Sequence, residues 1–286
     1  MGVVPKSKGR KPKPGKKNRP RTPPNTGGGR YRPGAVHVDE DEAFALLDRL
    51  IPEQVLTVGL PVWWLLLLPG KPANICLEGA FVLREAFALF GIDAKVKLVE
   101  LIVRDTRTGQ ATQYGRPDPH FTGDQFRGHA GLWLPESKRF IDHSAQQFPP
   151  VRAVSWMPVS VRATSLGVTE WSAQRFGVPR GDHLMLEYTP VDDTILPAIM
   201  NNSTLAEHMD QVRRAGVNLA SNLLAALRLP KLRERALASP HERLHRLLDL
   251  VGDADLINDP GQDHRFLVSG HPGGIYLDEI AATLPG

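Results

Sequence analysis

The sequence predicts an α+β fold, and three observations carry that expectation. Residues 76–90 place apolar side chains at spacings of three and four (Leu77, Ala80, Phe81, Leu83, Ala86, Phe87, Phe90), the signature of a helix with one buried face. Residues 94–104 and 128–143 instead carry strand patterning, the latter with the spacing of a hairpin. Beyond Pro197 helical periodicity returns. The expected organisation is a disordered basic arm over residues 1–36, an α+β core over 37–197 and a mainly helical C-terminal extension over 198–286.

The arm is set apart by charge. Its first 34 residues hold eleven Lys or Arg and no acid, leaving 24 basic against 31 acidic residues in the rest of the 286-residue chain, so the formal +4 divides into an arm of +11 and a body of −7. Seven Pro and seven Gly in the same stretch prevent it from burying enough apolar surface to offset the entropy of ordering. No apolar run of about 7–15 residues follows the basic start, as a secretory leader requires, so the expected location is cytoplasmic. The one long apolar stretch, Leu60–Leu68, covers nine residues, where a membrane helix needs about 20; no membrane span is expected.

Val38, Phe44, Leu46, Leu47 and Leu50, preceded by Asp39 and Asp41, predict a first helix stopped by Pro52. A second apolar segment, Val55–Leu68, runs into Pro69-Gly70-Lys71-Pro72, which demands a loop. Asn74 is the expected N-cap of the helix over 76–90, and Gly91 its stop. From Ala94 to Arg104 apolar and charged residues alternate with one slip, at Leu98-Val99. The next 23 residues are polar and rich in Gly, Pro and Asp, predicting a loop. Gly128–Leu134 and Arg139–His143 predict a hairpin turning at Pro135–Lys138, and Ala153–Val161 and Leu184–Thr189 predict further strands. Leu205 to Leu227 predicts one or two helices ending at Pro230, and Pro240–Leu250 another; this region reads as an extension on the core or a small domain of its own.

Cys76, the one cysteine, opens the strongest predicted helix. At that position unpaired N–H groups and the helix dipole stabilise a thiolate, and the same N–H groups can receive the oxygen of a tetrahedral intermediate. His129 follows 53 residues later, and Asp142 lies 13 beyond it on the partner strand of the hairpin, where cross-strand residues become neighbours. An aspartate fixing one imidazole nitrogen leaves the other for the thiol, the logic of a nucleophilic triad.

At these residues the sequence resembles the papain-like fold group that includes transglutaminase-like cysteine peptidases and arylamine N-acetyltransferases. The likeness rests on Asn74-Ile-Cys76-Leu-Glu78-Gly-Ala80, on Gly128-His129-Ala130-Gly-Leu-Trp133, and on Phe140-Ile-Asp142 with Ser144, Gln146 and Gln147. It covers about residues 55–150. The resemblance implies a nucleophile helix packed on an antiparallel sheet, with Cys76 as nucleophile, His129 as base and Asp142 as orienter. Pro72-Ala73-Asn74-Ile75 stands where the acetyltransferases carry Arg-Gly-Gly, so the transglutaminase-like peptidases are the better match. The implied activity is acyl transfer from an amide or ester, with hydrolysis of a protein, peptide or small substrate expected over cross-linking, and no cofactor.

Other readings compete. Cys76 could be core filler, and His129 and Asp142 structural. His143 points to the face opposite Asp142 and reads as a surface residue. Asp118, His120, Asp124 and His129 are acceptable metal ligands, but no two of the histidines have helical ligand spacing. Ser269–Gly274 lacks the ending of a phosphate loop, and Asp253–Asp263 misses the calcium-loop pattern at Ile257; both read as turns. Trp63, Trp64 and Trp133 suit either a cleft or the core. The rival from another class is a non-catalytic interaction protein whose arm, residues 1–34, binds nucleic acid by counterion release.

Overall fold

The computed structural model describes residues 40–67, 75–167, 170–172, 174–257 and 263–285. The arm over 1–36, the Pro69–Pro72 loop and the Asn74 cap lie outside the described residues. Three helices open the fold: α1 (Glu40–Leu47), α2 (Gly59–Leu66) and α3 (Cys76–Leu89). The second apolar segment is therefore helical in its second half. Ile75 occupies the N-cap position of α3 and supplies no side-chain cap, so no side chain at that position claims the first N–H groups of the helix.

Four strands of one antiparallel sheet surround the site: β1 (Lys95–Asp105), β5 (His129–Leu134), β6 (Arg139–Asp142) and β9 (Leu184–Pro190). With β7 (Val159–Arg162) and β8 (Phe176–Arg180) they run in the order β7-β6-β5-β1-β9-β8. β2 (Ala111–Gln113) pairs with Ile102–Arg104, on the edge of β1 that β5 leaves after Val99. A notch remains between them, closed by the N–H groups of Tyr114 and Gly115, which donate to the Leu101 carbonyl at 2.8 and 3.2 Å. β3 (His120–Thr122) and β4 (Gln125–Arg127) form a separate small hairpin, so the polar stretch predicted as loop contains three short strands.

The slip at Leu98-Val99 has a physical cause. Even-numbered Val96 and Leu98 pack in the cluster under α3, whereas odd-numbered Val99, Leu101 and Val103 pack in a second cluster on the opposite face with Phe140, Phe176 and Tyr188. The strand keeps its period of two, and the buried face changes along it. Pro179 sits in β8, an edge strand, where a missing N–H removes no ladder bond.

The predicted strand over Ala153–Val161 is corrected. Phe148 precedes a short helix α4 (Pro149–Val154), begun by Pro149 and Pro150 at its first positions, where a fixed φ and an absent N–H suit a helix start. Strand β7 begins only at Val159.

After α5 (Leu196–Met200) comes one 24-residue helix, α6 (Ser203–Ala226), capped by Asn202, whose Oδ1 accepts from the Leu205 N–H at 3.2 Å. Pro230 opens α7 (Pro230–Leu237), followed by α8 (Glu242–Val251), the β10–β11 pair (Leu256–Ile257 with Arg265–Phe266) and α9 (Leu277–Ala282). Among the described residues helix α6 makes its most extensive helix–helix contact against α3. A Cβ on Gly216 would lie 2.6 Å from the Glu85 Cβ and 2.8 Å from the Val82 carbonyl oxygen; the bare glycine allows the close crossing. The helical third thus shares one hydrophobic cluster with α3. Among the described residues no helix is long and apolar enough to cross a membrane.

Candidate active site

Cys76 is the first residue of α3, and its Sγ lies 3.8 Å from the Gly128 carbonyl oxygen, immediately before His129. His129 begins β5, at the notch in the sheet. A Cβ on Gly115 would fall 2.8 Å from the His129 Cβ, so the passing chain can close over the histidine only without a side chain. Phe148 flanks the ring at 5.4 Å between centroids.

The β5–β6 register pairs Leu132 with Ile141; continued, it sets Gly131 opposite Asp142 and makes His129 the diagonal neighbour of Asp142 on the same face. No side chain at Gly131 intervenes, and His129 Nε2 meets Asp142 Oδ2 at 2.7 Å with both residues fully buried. The same oxygen accepts from Tyr188 Oη at 2.9 Å, and Oδ1 accepts from the Ser144 N–H at 2.9 Å and Ser144 Oγ at 3.2 Å. Four donors thus hold a carboxylate that burial alone would neutralise.

Burial by itself pushes the His129 pKa down. The Asp142 charge and hydrogen bond outweigh it, Cys76 adds in the same direction, and the imidazole is raised to about 10. For Asp142, burial acts upward, but the charge and hydrogen bond of His129, the charge of His143 and the Ser144 N–H bring it down to about 2. Each partner thus favours the charged form of the other. With Nε2 engaged, His129 Nδ1 is the free nitrogen, having no hydrogen-bond partner among the described residues. Cys76 is near enough to favour the charged ring without meeting hydrogen-bond geometry to Nδ1.

His143 corrects an expectation. It does face away from Asp142, but into α2 and α3 rather than solvent, and it is fully buried. Its ring lies 6.4 Å from that of Trp64 and directly against Gly79, where a Cβ would collide with Nε2. Desolvation pushes its pKa down, the charge of Asp142 acts upward and that of His129 downward again, and it settles at about 4. Neither ring nitrogen has a partner of hydrogen-bond geometry among the described residues.

His129 and Asp142 come together as the hairpin spacing predicts, and the Cys76 sulfur lies against the carbonyl of the residue before His129. The metal set does not come together: among the described residues no group of three or more His, Cys, Asp or Glu is placed to hold an ion, and Asp118 pairs with Arg116. Trp64 and Trp133 are core residues and Trp63 is partly buried against it. Sequence reasoning missed Tyr188, Gly115 and the bonds from Ser144. Tyr188 stands in a predicted strand, but its partner is 46 residues away and only the β1–β9 pairing brings them together. No family model, curated protein or solved structure matches this chain.

Proposed function

We propose that the protein is a cysteine-dependent acyl-transfer enzyme of the transglutaminase-like, papain-like kind, acting on an amide or ester and passing the acyl group to water. The observation that supports it most is the buried Asp142–His129 pair, whose Nδ1 has no partner among the described residues and whose ring is influenced by a cysteine at an uncapped helix start. In this reading the proton that Cys76 and His129 share rests on the imidazole, the form that the Asp142 carboxylate favours. The Cys76 sulfur attacks the substrate carbonyl, and N–H groups of the first turn of α3 receive the developing oxyanion. His129 gives its proton to the leaving amine or alcohol as the thioester forms. The neutral ring then takes a proton from water, the hydroxyl adds to the thioester, and Cys76 leaves as thiolate. Asp142 keeps the ring oriented throughout. A lone cysteine used in reduced form suits the cytoplasm.

The test is iodoacetamide alkylation followed from pH 5 to 10, together with mass spectrometry after mixing with activated esters. With a single cysteine, every adduct reports Cys76. Fast alkylation near pH 6, slowed at least tenfold in His129→Ala, and an acyl adduct lost in Cys76→Ala are the expected results. A thiol that alkylates only as slowly as a buried structural cysteine, with no adduct, would overturn the proposal.

A further inference from the structure

A small groove opens beside Cys76, between the first turn of α3, the β3–β4 hairpin and the first turns of α6. Leu77, Phe121, Phe126 and Leu205 form its apolar walls, Glu78 and Asp124 supply two carboxylates, and His208 stands on the α6 side. The hairpin register pairs Phe121 with Phe126, their rings 5.6 Å apart. Strand alternation turns both toward the groove and directs His120, Gln125 and Arg127, all exposed, the other way.

The groove adjoins the nucleophile. A Cβ on Gly128 would lie 2.6 Å from Cζ of Phe126, so this ring packs on Gly128, whose carbonyl touches the Cys76 sulfur at 3.8 Å. Glu78 is two residues from Cys76. Both Glu78 and Asp124 are exposed, and neither pairs with a cation among the described residues. Two unpaired carboxylates above an aromatic wall complement a cation that also has a flat apolar body. Guanidinium is that group: it stacks on aromatic rings, is weakly hydrated and meets carboxylates through two parallel N–H bonds.

We infer that this groove receives an arginine side chain of a peptide substrate and so selects the acyl group delivered to Cys76. Its catalytic meaning rests on the reading of Cys76 as nucleophile; its binding chemistry does not. The experiment is therefore run on full-length Cys76→Ala. Calorimetry compares Nα-acetyl-arginine amide with Nα-acetyl-citrulline amide, which has nearly the same shape but no charge. Arginine is expected to bind about tenfold tighter, and the double variant Glu78→Gln with Asp124→Asn to erase that preference. Both residues are exposed, so neither change threatens the fold. Equal affinity, no binding of the arginine amide, or a preference that survives the double substitution would overturn the inference. Turnover of esters by the native chain tests the nucleophile separately, so the two readings can fail independently.

Discussion

His129 and His143 lie on opposite faces of the same sheet, on either side of Asp142, and both are fully buried. One is raised to about 10 and the other lowered to about 4. Burial acts downward on both, so burial does not separate them. The difference lies in the neighbours: Asp142 turns its carboxylate to His129 and Cys76 adds to it, whereas His143 faces Trp64 and the Gly79 backbone and is opposed by the charge of His129. A charged ring is stable in a protein interior when a carboxylate shares the interior with it, and the neighbouring ring then remains neutral.

Removing the carboxylate breaks this contrast most severely. Asp142→Asn is expected to destabilise the fold by about 3–5 kcal/mol, the range for a broken buried ion pair, and to lower the His129 pKa below its ordinary value, since burial is then unopposed. Denaturant unfolding and imidazole NMR titration check both.

The pH dependence of stability separates the two histidines. The lowered pKa of His143 makes its contribution complete above pH about 6.5, the ordinary histidine value, and lost as pH falls through about 4. Asp142 continues the acid loss from the ordinary carboxylate range down through about 2. The raised pKa of His129 acts in the other direction: its contribution is complete below about 6.5 and lost as pH rises through about 10. His143→Phe should therefore flatten the limb between pH 6.5 and 4, worth roughly 3 kcal/mol, and leave the alkaline limb unchanged. Unfolding curves across pH measure both limbs.

Gly79→Ala drives a methyl group into the His143 ring and is expected to cost about 1–3 kcal/mol, as overpacking does. A double-mutant cycle with His143→Ala should recover most of that loss; additive effects would place the clash elsewhere. Tyr188→Phe has the smallest expected effect. It removes one of four donors on Asp142 and should cost about 1–2 kcal/mol, read from denaturant unfolding.

Much of the fold was legible because its signals are local. Helix 76–90, the long strand from residue 95 and the hairpin at 128–142 follow from periodicity, and the hairpin spacing by itself brings His129 toward Asp142. Other features depend on partners distant in sequence. The second carboxylate donor, Tyr188, arrives through a strand pairing between residues about ninety apart. Alternation correctly turned His143 away from Asp142, but whether that face meets water or a helix depends on where α2 and α3 pack. Ala153–Val161 misled because β-branched residues resemble a strand after two prolines have already started a helix.

The crossing of α3 by α6 also bears on how the chain is made. More than a hundred residues separate the end of α3 from the start of α6, which at ribosomal speeds of about 5–20 residues per second is roughly ten seconds of synthesis. During that interval the apolar surface of α3 destined for α6 has no cover in the nascent chain. A transcript ending before codon 203 would release a product that keeps Cys76, His129 and Asp142 yet is prone to aggregate. Residues from 203 onward are thus needed to cover a helix whose first residue, Cys76, is made long before them.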